Sequence, residues 1–179
     1  MKYTLIVLLF ALVIVACAPQ EPRVMSHDEH NMHMGDHAMA PVTSEEQFIV
    51  EMIPHHQEAV DTSRVIVENT DNEELRDLAQ RIIVAQEQEI AMMQAWLDQD
   101  FDGGYDASYQ DMMPDLERYQ GVDQDNAYLH GMIMHHIMAV EMAEQVLELN
   151  PSERVRTFAE AVIAVQTAEI DEMYGLMRH

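Results

Sequence analysis

With one cysteine, Cys17, among 179 residues, the chain can form no internal disulfide, and no thiolate pair is available for metal or redox work. Basic side chains are scarce as well. Nine Lys and Arg stand against 33 Asp and Glu, a net charge of -24, which excludes nucleic acid as a partner and excludes electrostatic docking on anionic lipid headgroups. Beyond residue 16 no apolar run is long enough to span a bilayer. Catalytic motifs are missing too: there is no Gly-rich phosphate loop, no nucleophile elbow and no His-Glu-x-x-His helix, so an enzyme reading has little to rest on.

What the chain does have is sulfur and imidazole, in 16 methionines and 10 histidines. Its first residues read as an export signal: Lys2, then an apolar run from Leu5 to Ala16, then the cysteine. The expectation is a signal peptide over residues 1–16, removed to leave a lipid on the Cys17 sulfur. The chain would then face the periplasm or the cell exterior, held to the membrane by that anchor. Residues 17–43 are polar, interrupted by proline and without apolar periodicity, which predicts a flexible tether. Within it Met25, His27, His30, Met32, His33, Met34, His37 and Met39 crowd together. Such a segment can wrap a soft ion without a prebuilt cage, unless it is merely a polar tail.

Residues 44–179 contain an internal repeat. A shift of 80 residues places segment 48–97 on segment 128–177 without a gap, and about 15 of 50 positions coincide, too many for shared helical composition alone. Among them Met52, His55, His56, Ala79, Gln86, Glu89 and Met93 fall on Met132, His135, His136, Ala159, Gln166, Glu169 and Met173. Each unit carries two helical patterns. Ser44 with Gln47 and Thr70 with Glu73 read as capping boxes, and Asn150-Pro151-Ser152-Glu153 as a cap followed by proline at the first helical position. Leu75, Leu78, Ala79, Ile82, Ile83, Ile90, Met93 and Leu97 form one helical stripe. Two hairpins with one apolar stripe each can bury those stripes only against one another, which predicts an all-α four-helix bundle with a connecting loop at 98–123. Pro54 should kink the first helix or leave a carbonyl without its donor.

The sharpest motif is Met-x-x-His-His, as Met52-Ile-Pro-His55-His56 and again as Met132-Ile-Met-His135-His136. Spacings of three and four gather one thioether and two imidazoles within a helical turn, a donor set for Cu(I) or Ag(I), and for Cu(II) where imidazoles dominate. Met93 and Met173 occupy matching places on the second helix of each unit. Any one of these methionines could instead be plastic core filler, and the His pairs could hydrogen-bond within the core. A di-iron site would need Glu-x-x-His, and no histidine here has glutamate three residues before it, which argues against iron oxidation. Asp98, Asp100 and Asp102, with Gly103, match the opening of a calcium loop, but position twelve is Tyr109, so a solvated acidic loop is the alternative.

The run from Phe48 to Val60, the segment Ile90-Ala-Met-Met-Gln-Ala-Trp-Leu97 and the stretch from Gly131 to Met142 resemble the domain of unknown function family numbered 305. That resemblance covers Ser44 to the C-terminus. It implies a ferritin-like helical bundle of the bacterial envelope, and, because some members are periplasmic copper-binding proteins linked to copper resistance, it implies copper ligation at Met52, His55, His56, Met132, His135 and His136, with Met93 and Met173 as companions. The resulting expectation is a copper-sequestering envelope lipoprotein whose protein partner is unknown. Its rivals are a structural or interaction lipoprotein and a divergent metal-dependent oxidase.

Overall fold

The computed structural model describes residues 41–101, 107 and 109–178. Four long helices carry the fold: α1 (Glu45–Asn69), α2 (Glu73–Asp100), α3 (Val122–Glu148) and α4 (Glu153–Leu176), with one 3-10 turn at Leu116–Arg118 in the connection and no strand among the described residues. This is the bundle of two hairpins that the repeat predicts.

Local chemistry sets the helix ends. Ser44 caps α1 by accepting from Gln47 N–H at 3.1 Å, with Glu45 and Glu46 in the positive first turn. The reciprocal half of the capping box is displaced by one residue, because Gln47 Oε1 accepts from the Thr43 N–H and hydroxyl. The other two caps differ from expectation. Asn72, not Thr70, caps α2 by accepting from Leu75 N–H, while Thr70 ends α1 and its hydroxyl donates to Asp125. Helix α4 starts at Glu153, after Ser152, so Pro151 lies outside it. Asn150 takes a left-handed φ of 55°, as asparagine tolerates, and turns the chain. Ser152 is occupied elsewhere: its N–H and hydroxyl both donate to Glu45 at the start of α1. Pro54 sits inside α1, which runs through it without interruption.

α1 packs on α2 and α3 on α4, and the hairpins meet chiefly through α1 against α3, with a small α2–α4 contact. α1 and α3 run antiparallel, as the pairings Val42–Gln145, Ser63–Tyr128 and Thr70–Asp125 show.

The core divides into two clusters that the 80-residue shift interchanges. One holds Phe48, Ile49, Met52 and Met93 with Val146, Val155, Phe158, Ala159 and Val162; the other holds Tyr128, Leu129, Met132 and Met173 with Ile66, Leu75, Leu78, Ala79 and Ile82. Each cluster therefore joins the start of α1 or α3 and the end of its hairpin partner to the opposite parts of the other hairpin. His55-His56 and His135-His136 lie where α1 and α3 pass from one cluster to the other.

Candidate metal centre

Four histidines that the periodicity places on the inner faces of α1 and α3 are all buried: His55 and His56 fully, His136 fully, and His135 at 1 % exposure. Because the helices are antiparallel and related by the repeat, His55 and His135 meet across the pseudo-two-fold axis. Their ring centroids are 3.6 Å apart and the planes inclined by 36°. His56 lies 6.1 Å from His55 and His136 6.3 Å from His135, centroid to centroid, so the four rings form one continuous row. The sequence suggested two related sites, and the fold merges their imidazoles at a single crossing.

The outer rings each meet a carboxylate. His56 Nε2 is 2.8 Å from Glu89 Oε2 and His136 Nε2 is 2.8 Å from Glu169 Oε2, two bonds that the repeat makes equivalent. With Nε2–H donating to the carboxylate, the tautomer leaves Nδ1 as a lone pair, and in both residues that buried Nδ1 has no hydrogen-bond partner. A carboxylate behind an imidazole fixes ring and tautomer in the way metal-ligating histidines require. Both nitrogens of His55 and both of His135 are likewise buried without a hydrogen bond; His135 Nε2 is 3.3 Å from Glu58 Oε2 but outside hydrogen-bonding geometry. An unpaired buried polar atom is costly, so six orphaned nitrogens in one row call for a ligand.

Burial holds the pKa values of His55 and His135 well below the ordinary imidazole value, reinforced by the neighbouring histidines of the row. Neutral imidazole is the ligating form. Among the described residues, no group of three or more His, Cys, Asp and Glu side chains is already arranged to hold a metal ion. Further donors must come from side-chain rotation or from thioethers. Met52 and Met93, and their equivalents Met132 and Met173, are fully buried in the two clusters flanking the row. Nitrogen and sulfur are thus the donors at hand, a borderline-to-soft set.

Glu89, Glu169 and Glu58 were not among the residues singled out from the motif. The first two were readable, since they coincide under the 80-residue shift as the histidines do. Glu58 carries no such signal, because its counterpart is Met138. Of the calcium-loop residues, Asp98 and Asp100 lie in the last turn of α2, Asp100 is paired with Arg154 at 2.5 Å, and Asp102 falls outside the described residues. Cys17 and the tether residues from Met25 to Met39 also lie outside them.

Known proteins show the same architecture. CopM in its Ag-bound form is 31 % identical, with 76 % of this chain and 97 % of that one covered and a TM-score of 0.69. CopM has also been solved in Cu(I)-bound and Cu(II)-bound forms, at TM-scores of 0.69 and 0.66. A DUF305 protein from Streptomyces coelicolor, described as secreted, is 27 % identical over 74 % of this chain and 91 % of its own, at a TM-score of 0.65. The uncharacterized protein L153 of Acanthamoeba polyphaga mimivirus is 38 % identical over 60 residues, 34 % of this chain and 40 % of that protein, so the match spans less than half of the viral chain. The domain of unknown function DUF305 matches twice, over residues 45–108 and 102–177, one match for each hairpin of the repeat, and the chain belongs to that family.

Proposed function

We propose that this protein binds and sequesters copper in the cell envelope, without turnover, through the imidazole row at the α1–α3 crossing and the thioethers on either side of it. The observation that carries this reading is the set of six buried, unpartnered imidazole nitrogens on His55, His56, His135 and His136. The donor types fit a soft or borderline ion, and the charge of -24 raises the local concentration of cations. The likeness to CopM, solved with Ag, Cu(I) and Cu(II), supports the choice of metal. Met52, Met93, Met132 and Met173 complete the ligand set. The Met/His segment from Met25 to Met39 captures ions and passes them to the bundle, and a lipid on Cys17 keeps the protein at the membrane.

Anaerobic thermal unfolding tests it, with Cu(I) titrated into the protein and into a variant with His55, His56, His135 and His136 all changed to Ala. Each is examined with and without residues 25–39. A ligand of the native state raises the midpoint by an amount that grows with its concentration over its dissociation constant. The midpoint is expected to rise for the parent in both lengths and to stay fixed for the variant lacking the segment. If no protein responds, the His row is a structural core feature and the copper reading fails.

A further inference from the structure

Among the many positions at which the repeats differ, two bear on the segment that joins them. Glu58 in the first unit has Met138 as its counterpart, and Gly131 in the second has Glu51. Glu58 stands one turn after His55, and its side chain is 10 % exposed. Its acceptors are committed to the segment joining the repeats. Oε1 accepts from the N–H groups of Met112 at 2.7 Å and Met113 at 2.8 Å, and Oε2 accepts from the Tyr109 hydroxyl on the side that also faces His135. Burial, and then the bond to Glu58, raises the pKa of the Tyr109 phenol, so it stays a donor. The Tyr109 ring stands edge-on to His55, 5.9 Å between centroids at 75°.

Gly131, one turn before His135, explains how the segment lies so close. A Cβ there would come 2.5 Å from Pro114 Cδ and 3.1 Å from Met113 Sδ. Beyond Pro114 the segment is pinned by buried Leu116, whose carbonyl, with that of Tyr119, accepts from Gln124 Nε2. Residues 109–114 thus form a strap over one side of the His pair. On the symmetry-related side Met138, 5 % exposed, stands in the place of Glu58, and buried Glu51 in the place of Gly131.

We propose that Glu58 is a positioning residue: it latches the strap of residues 109–114 over the His55–His135 pair and thereby sets how fast a metal ion enters and leaves. What passes under the strap rests on the proposed function; the latch itself does not. Three charge-assisted bonds must break together for the strap to lift, and the carboxylate they leave behind is largely desolvated. The strap meets His55 through the edge of the Tyr109 ring, so lifting it changes access and leaves the ligands in place.

The test uses the full chain and three variants. Glu58→Met installs the side chain of the opposite face and removes the acceptors, Gly131→Ala pushes Pro114 away without touching the carboxylate, and Tyr109→Phe removes one hydroxyl. Two rates are read: labelling of His55 and His135 by diethyl pyrocarbonate in metal-free protein, followed by peptide mass spectrometry, and release of Cu(I) to bathocuproine disulfonate. Glu58→Met removes three such bonds and is expected to accelerate both by at least about tenfold, the effect of losing a single charge-assisted bond. Gly131→Ala should act in the same direction and Tyr109→Phe less strongly, while the equilibrium affinity for Cu(I) stays within about threefold of the parent. Unchanged labelling in folded Glu58→Met and Gly131→Ala proteins would overturn the latch. Faster labelling in a protein that takes up no Cu(I) would uphold the latch and sink the copper reading.

Discussion

At the scale of single residues, the centre is defined by what its nitrogens lack. His55 and His135 are stacked 3.6 Å apart with no hydrogen bonds, so a proton on either ring is disfavoured by burial and by its neighbours. In the unfolded chain each titrates near the ordinary histidine value of about 6.5. Above that pH neither state is protonated and the bundle has its full stability. Below it the unfolded chain takes up protons that the folded rings refuse, so stability of the metal-free protein falls by up to about 1.4 kcal/mol per pH unit for each ring, until the depressed folded values are reached. Urea midpoints measured from pH 7.5 to 5 should therefore decline, and a variant with His55 and His135 replaced by Gln should decline less. Equal slopes would mean that the two rings are solvated and able to ionise in place. Glu89 and Glu169 set the other half of the row. Glu89→Gln or Glu169→Gln exchanges an anionic acceptor for a neutral amide behind His56 or His136, and loss of such an orienting carboxylate is expected to weaken Cu(I) binding about 10- to 100-fold. Competition titrations with a chromophoric chelator read that change, and an unaltered affinity in both variants would remove the outer histidines from the site.

At the scale of elements, helix capping separates what the sequence made legible from what it hid. Ser44 was readable because its spacing to Gln47 is local, and the bond at 3.1 Å bears it out. Thr70 misled because the same local pattern was available, yet its hydroxyl is drawn to Asp125 on α3, 55 residues away, and Asn72 takes over the cap. Ser152 is likewise engaged by Glu45 at the start of α1. Tertiary partners override a cap pattern, and no single-helix rule contains them. Asn72→Ala should then cost about 1 kcal/mol of stability through the lost cap. Thr70→Ala should cost through the α1–α3 tie instead, so its effect should shrink when Asp125 is already Ala, whereas that of Asn72→Ala should not. A double-mutant cycle by urea unfolding decides this, and additivity of Thr70 with Asp125 would restore the capping role to Thr70. The same limit explains why the bundle and the four buried histidines were legible, since a helical stripe and a gap-free repeat are periodic. Glu58 was not, because its partners sit on an irregular segment that has no counterpart in the first repeat.

At the scale of the whole molecule, the pseudo-two-fold arrangement and the charge act against each other. The symmetry places four buried imidazoles at the one crossing that both core clusters share, so the hairpins are joined through a layer that hydrophobic packing alone does not fill. Across the whole sequence 33 acidic side chains stand against only nine basic ones. Arg64 with Asp61 and Glu87, and Arg81 with Glu172, engage two of those bases in exposed ion pairs that contribute little. Self-repulsion of this kind destabilises a compact state and is screened over a Debye length of about 10 Å at 0.1 M salt. The metal-free protein is therefore expected to gain thermal stability as sodium chloride rises from about 0.01 to 0.3 M, the reverse of what a fold held by surface ion pairs would do. The same acidity that weakens the empty bundle draws cations toward it, so the association rate of a metal ion should fall over that salt range while stability climbs. Scanning calorimetry and stopped-flow mixing, run at matched ionic strengths, measure the two trends together. If stability falls with salt, the acidic surface is locally compensated, and attraction of cations by net charge loses its basis.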